Sequence, residues 1–91
     1  MGEKMPTPPG QVLLEQFLQP NNIQQKTLAE HLGWTKARLN EIINVKRGIT
    51  ADSALSLACA FDTTAEFWLD LQRDWDIYKA KKSHTIVTRI V

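Results

Sequence analysis

The sequence predicts an all-α chain of five helices followed by a short C-terminal β-like tail. Three observations carry this reading. Apolar residues recur at helical spacing in separate runs from Val12 to Tyr78. Pro, Gly, Asn, Asp and Thr punctuate those runs as helix starts and stops. Only the stretch from His84 to Val91 is β-branched almost throughout and lacks a helical period.

With 91 residues the chain is one domain. The helical part covers 1–81 and the tail 82–91. A chain this short buries a modest fraction of its surface, so dimerisation is an expected source of extra stability. Met1 to Thr7 reads as a flexible lead. Pro8 and Pro9 allow a helix to begin but not to pass through them. Val12, Leu13, Phe17 and Leu18 then define the first helix, up to about Gln19. Pro20-Asn21-Asn22 ends it, and Ile23 packs back onto the core.

Residues 25–44 are the centre of the design. Leu28, Ala29 and Leu32 fall on one face of a second helix, from about Gln24 to His31. Gly33 can take the left-handed conformation that ends it. Thr35 offers an oxygen to cap a third helix, about Lys36 to Asn44, whose inward face is Leu39, Ile42 and Ile43. Ala29 must be small for the two helices to approach. Two short helices joined by a tight glycine turn form a helix-turn-helix, which presents its second helix to the major groove of DNA. The plainer reading is an antiparallel helix pair in a small bundle.

Val45-Lys-Arg-Gly48 is a basic loop. Thr50 caps the fourth helix, which carries Ala54, Leu55, Leu57, Ala58 and Phe61 and stops at Asp62. Cys59 lies between Ala58 and Ala60 and reads as inert core. Thr63 or Thr64 caps the fifth helix, and Thr63 with Glu66 would make a capping box. This helix runs to about Lys81 and is apolar beyond the needs of one buried side. Trp68, Leu71, Trp75 and Tyr78 form one stripe, with Phe67 and Leu69 to either side. The expectation is one face on the first helix and another on a second subunit or a partner protein. The tail, with Ile86 and Ile90, either frays or adds to a sheet edge of another chain.

The net charge of +1 hides a pattern. From Gln24 to Arg47, five basic residues (Lys26, Lys36, Arg38, Lys46, Arg47) face two acidic ones (Glu30, Glu41), a local +3. From Glu66 to Asp76, four acidic residues (Glu66, Asp70, Asp74, Asp76) face Arg73, a local −3. Such a chain fits a protein that meets DNA with one face rather than coating it. No apolar run approaches the roughly 20 residues that span a bilayer. The start lacks a signal-peptide core, and a single Cys59 cannot close an internal disulfide, so the cytoplasm is expected. His31 and His84 are distant in sequence, and no HExxH, P-loop, GxSxG or CxxC motif occurs. Catalysis, metal, cofactor and small-molecule substrate are therefore not expected.

Three blocks carry a family resemblance. They are Pro9-Gly10, Lys46-Arg-Gly-Ile-Thr-Ala-Asp-Ser-Ala-Leu55 and Glu66-Phe-Trp-Leu-Asp-Leu-Gln72. With them the chain from Pro9 to Lys81 resembles the HigA-type (VapI-like) antitoxins of the XRE, lambda-repressor-like helix-turn-helix class. The resemblance implies a five-helix lambda-repressor-like DNA-binding domain with the helix-turn-helix at 25–44. It implies a homodimer that binds palindromic operator DNA, represses its own operon and neutralises a HigB-type, RelE-like messenger RNA endonuclease. The alternative is a stand-alone repressor without a toxin. Where the family often has Asn-Gly-Lys, this chain has Asn44-Val45-Lys46. Val45 takes positive φ only at a cost, so Asn44 is expected to carry that turn. The family's usual Gly at the end of the fourth helix is Asp62 here, a residue that tolerates the left-handed region.

The resemblance and the docking geometry together aim Lys36, Ala37, Asn40 and Glu41 at base edges. Lys36 suits guanine O6 and N7, Asn40 adenine N6 and N7, Glu41 cytosine N4, and Ala37 a thymine methyl. Gln25, Thr35, Lys46 and Arg47 are expected on phosphates, and Arg38 on a phosphate or a base. Trp68, Leu71, Trp75, Tyr78, Ile86 and Ile90 are the expected dimer or partner surface.

Overall fold

Pro8, extended at φ −66° and ψ 151°, opens the first helix with a proline in its first turn. The structure is a computed structural model that describes residues 4–91. Its five helices are α1, which is α-helical over Pro9–Val12 and π-helical over Leu13–Leu18, α2 (Gln25–Leu32), α3 (Lys36–Ile43), α4 (Ala51–Phe61) and α5 (Ala65–Ser83). Part of the expected lead lies outside the described residues, and residues 4–8 carry no regular structure.

The π turns of α1 were not legible as such. A π turn bonds i to i+5, so Leu13 and Leu18 both reach the core, at 0% and 1% exposure. At the other end of α1, Gly10 lies against the α3 backbone. A Cβ built there would sit 2.0 Å from the Ile42 carbonyl oxygen, so only glycine permits this approach. The core gathers Val12, Leu13, Leu18, Leu28, Ala29, Leu39, Ile42, Leu57 and Trp68 from all five helices.

The local signals act largely as expected. Gly33 is left-handed at φ 73° and closes α2, with Trp34 N–H donating back to Ala29 O at 2.9 Å. Thr35 and Thr50 cap α3 and α4 through their side chains. Asp62 is left-handed at φ 54°. Thr64, not Thr63, caps α5, accepting from Phe67 N–H at 3.1 Å. No Thr63–Glu66 box forms, because Thr63 Oγ1 instead accepts the Trp68 indole N–H at 2.8 Å.

Three expectations are corrected here. Val45, not Asn44, turns left-handed, with φ 62° against −87°. Cys59 is exposed. The buried positions of α4 are Ser53, Ala54 and Leu57, and a residue two beyond Leu57 points away from that face. Trp68 is not a surface residue. It is fully buried, 5.1 Å from both the Phe17 and Phe67 rings. The stripe on α5 turns inward along the helix: Trp68 is buried and Leu71, Trp75 and Tyr78 are half-buried, whereas Phe67 and Ile77 beside it are 37% and 47% exposed. Residues 84–91 carry no regular structure within the single chain. A lone strand has no ladder partner there, and Ile86 and Ile90 are 93% and 95% exposed.

Candidate nucleic-acid interface

On a helix, residues four apart share a face. Lys36, Asn40 and Asn44 therefore line one side of α3 and its exit, and all three are exposed, as is Ala37. Neighbouring side chains orient the central amide. Asn40 Nδ2 donates to Gln25 Oε1 of α2 at 3.4 Å, and Asn44 Nδ2 donates to Asn40 Oδ1 at 3.0 Å. Gln25 and Asn40, assigned different roles from sequence, thus form one polar patch across the helix pair. Asn44 was overlooked because its role depends on Asn40 rather than on a motif.

The start of α2 adds to this patch. Gln24 caps it without a side-chain hydrogen bond, which leaves first-turn N–H groups for an anion. Thr35 Oγ1 is engaged by Arg38 N–H at 3.1 Å, so its main role is the α3 cap.

Arg38 is engaged within the chain. Its guanidinium turns away from the exposed face of α3. Nη2 donates to Ser53 Oγ at 2.9 Å and lies 3.9 Å from Asp52 Oδ2, and the group sits 4.2 Å from the centroid of the Trp34 ring. Ser53 is a buried hydroxyl, and Arg38 with Thr50 satisfies it. Arg38 therefore ties α3 to the start of α4, a role set by a residue 15 positions away and invisible in the helix pattern.

Glu41 is half-buried and drawn to the loop. Its carbonyl oxygen accepts from Lys46 N–H at 2.8 Å and Arg47 N–H at 3.2 Å, and its carboxylate lies 3.6 Å from the Arg47 guanidinium. The bonds curl residues 45–47 over the end of α3. Lys46 and Arg47 stay exposed beside the Lys36–Asn40 face. Positive charge thus borders a polar, hydrogen-bonding face.

The expected partner surface is reduced to the far half of α5 and the tail. Trp75 and Tyr78 stack with centroids 5.8 Å apart, and the Lys82 ammonium lies 4.6 Å from the Tyr78 ring centroid. The buried Trp75 Nε1 has no hydrogen-bond partner among the described residues. Among those residues no three His, Cys, Asp or Glu side chains converge to hold a metal, and no helix is long and apolar enough to cross a membrane.

Residues 14–68 match the family described as Helix-turn-helix. The chain is 36% identical over 83 residues to Virulence-associated protein I of Dichelobacter nodosus, covering 91% of this chain and 77% of that one. Antitoxin GraA in complex with its operator superposes with a TM-score of 0.88 at 34% identity, over 100% of this chain and 97% of that one. Pseudomonas aeruginosa antitoxin HigA, solved with the higBA promoter, gives 0.85 at 32% identity, over 94% and 99%.

Proposed function

The chain belongs to the helix-turn-helix family, and from that premise we propose that it is a sequence-specific DNA-binding antitoxin that represses its own operon. The observation that carries this is the exposed α3 face of Lys36, Ala37 and Asn40, bordered by Gln25 and by the cationic loop at Lys46 and Arg47. In this reading Lys36 and Asn40 meet base edges, and Ala37 meets a thymine methyl. The α2 start, Lys46 and Arg47 hold phosphates. Similar chains solved on operator and promoter DNA support DNA as the partner.

The protein acts as a homodimer in the cytoplasm, with two α3 helices about 34 Å apart on successive major grooves of a palindrome. The exposed Ile77, Ile86 and Ile90, together with the unpartnered Trp75 N–H, favour a protein partner on the far half of α5 and the tail. Neutralisation of a HigB-type toxin completes the role, and no catalytic step is assigned to the chain.

A fluorescence-anisotropy titration against the DNA upstream of its own reading frame, at two salt concentrations, tests the DNA half. Tight, competitor-resistant binding with a steep salt slope is expected. Affinity equal to that for random DNA overturns it. Co-expression with a small basic toxin encoded beside its own gene tests the other half. Restored growth is expected, and failure to restore it or to co-purify leaves a stand-alone repressor.

A further inference from the structure

The loop between α3 and α4 is held from α5, a helix remote in sequence from the helix-turn-helix. Gln72, in the middle of α5, accepts the Ile49 backbone N–H on Oε1 at 2.7 Å. Its Nε2 donates to Asp76 Oδ1 at 2.8 Å, which fixes the amide the right way round to accept. The same side chain lies flat on the neighbouring loop residue. A Cβ built on Gly48 would be 3.2 Å from Gln72 Nε2 and 3.4 Å from Cδ, so the absence of a side chain there gives the amide its seat.

Ile49 is buried at 6% exposure, so its N–H has little water to fall back on. One residue before Lys46, Val45 holds the left-handed φ of 62° that a β-branched residue resists. A strained residue persists only where its surroundings over-determine it. Glu41 O holds the loop from the α3 side, and Gln72 holds it from the α5 side.

We infer that Gln72 is a positioning residue for DNA binding: by clamping Ile49 it fixes the loop that carries Lys46 and Arg47 beside the α3 face. This rests on the DNA-binding reading above. Without the clamp the loop samples other conformations, and apparent affinity falls with the fraction that remains competent. Because the clamp is built on α5, the helix that carries the proposed partner surface, it also links the two surfaces of the molecule.

The test uses the full chain and the upstream duplex, with thermal melting alongside. Gln72→Leu keeps the side chain's bulk and removes both polar bonds. We expect about a five- to tenfold loss of affinity at temperatures where the variant is fully folded, together with faster amide exchange at Ile49. The double variant Gln72→Glu with Asp76→Asn reverses donor and acceptor between positions 72 and 76 while keeping an acceptor for Ile49. It should return affinity to within about twofold of the parent. Lys46→Ala serves as the reference for the DNA reading itself. If Lys46→Ala weakens binding and folded Gln72→Leu does not, the clamp has no positioning role and the inference is overturned. Failure of the double variant to recover affinity, or unchanged Ile49 exchange in Gln72→Leu, overturns it as well. If neither Lys46→Ala nor Gln72→Leu changes affinity, the loop is not a DNA contact, and the reading beneath the inference fails with it.

Discussion

The two ends of α3 are built on opposite terms. At its entry, Gly33 takes φ 73° without strain, and a Cβ there would meet nothing within 4 Å. Thr35 caps the helix, and Arg38 ties its first turn to Ser53. At its exit, Val45 takes a similar backbone conformation with a β-branched side chain, at φ 62°. Left-handed residues other than glycine cost roughly 1–2 kcal/mol. Two sets of bonds offset that cost: N–H donors from Lys46 and Arg47 onto Glu41 O across the helix end, and the long-range Gln72 bond to Ile49. The entry is settled by local chemistry and the exit by its neighbours. The strained exit carries Lys46 and Arg47.

Four substitutions break or sharpen this contrast. Gly10→Ala should have the largest effect, because its Cβ would stand 2.0 Å from Ile42 O near the α3 exit. Separating α1 from α3 is expected to lower stability by about 3 kcal/mol or more, read by denaturant unfolding. An unfolding midpoint within error of the parent would mean that the close approach supports nothing.

Gly33→Ala comes next. Its space is open, so the loss of about 1–2 kcal/mol should be purely conformational. Thr35→Ala should cost about 1 kcal/mol through the lost cap, with the folded-state affinity for DNA nearly unchanged, since Thr35 Oγ1 is engaged by the Arg38 amide. A large loss of affinity without a loss of stability would instead make Thr35 a phosphate ligand.

Val45→Gly has the smallest effect and the opposite sign. Relief of the left-handed strain exceeds the added backbone entropy of glycine by up to about 1 kcal/mol, or roughly 4–8 °C in melting temperature. A variant that melts lower than the parent would show that the Val45 side chain contributes packing worth more than its strain.

What was legible in the sequence follows the same division. Gly33, Thr35, Thr50 and Asp62 act through their own backbone or the next turn, and their residue types announced those roles. The inward faces of α2 and α3 were equally readable from spacing, with Leu28, Ala29, Leu39, Ile42 and Ile43 all buried. The exit turn was assigned to Asn44 because Asn tolerates positive φ and Val does not. Contacts from Glu41 and from a helix 23 residues beyond Ile49 decided otherwise. The contacts of Arg38 with Trp34, Asp52 and Ser53 come from outside α3 and were not in the helix pattern. Trp68, Leu71, Trp75 and Tyr78 did form a stripe. How deep each of them sits was not in the spacing: Trp68 is fully buried, whereas Leu71, Trp75 and Tyr78 are half-buried.

The central claim is that α3 reads sequence while the loop after it holds the DNA backbone. It is tested most directly by titrating Asn40→Ala and Lys46→Ala against the upstream duplex and a scrambled duplex at two salt concentrations. Lys46→Ala should weaken binding to both duplexes alike and reduce the salt slope by about one. Asn40→Ala should lose about 1–3 kcal/mol on the upstream duplex alone and leave the salt slope intact. Equal losses on both duplexes for Asn40→Ala would contradict the account and reduce α3 from a reading helix to a scaffold.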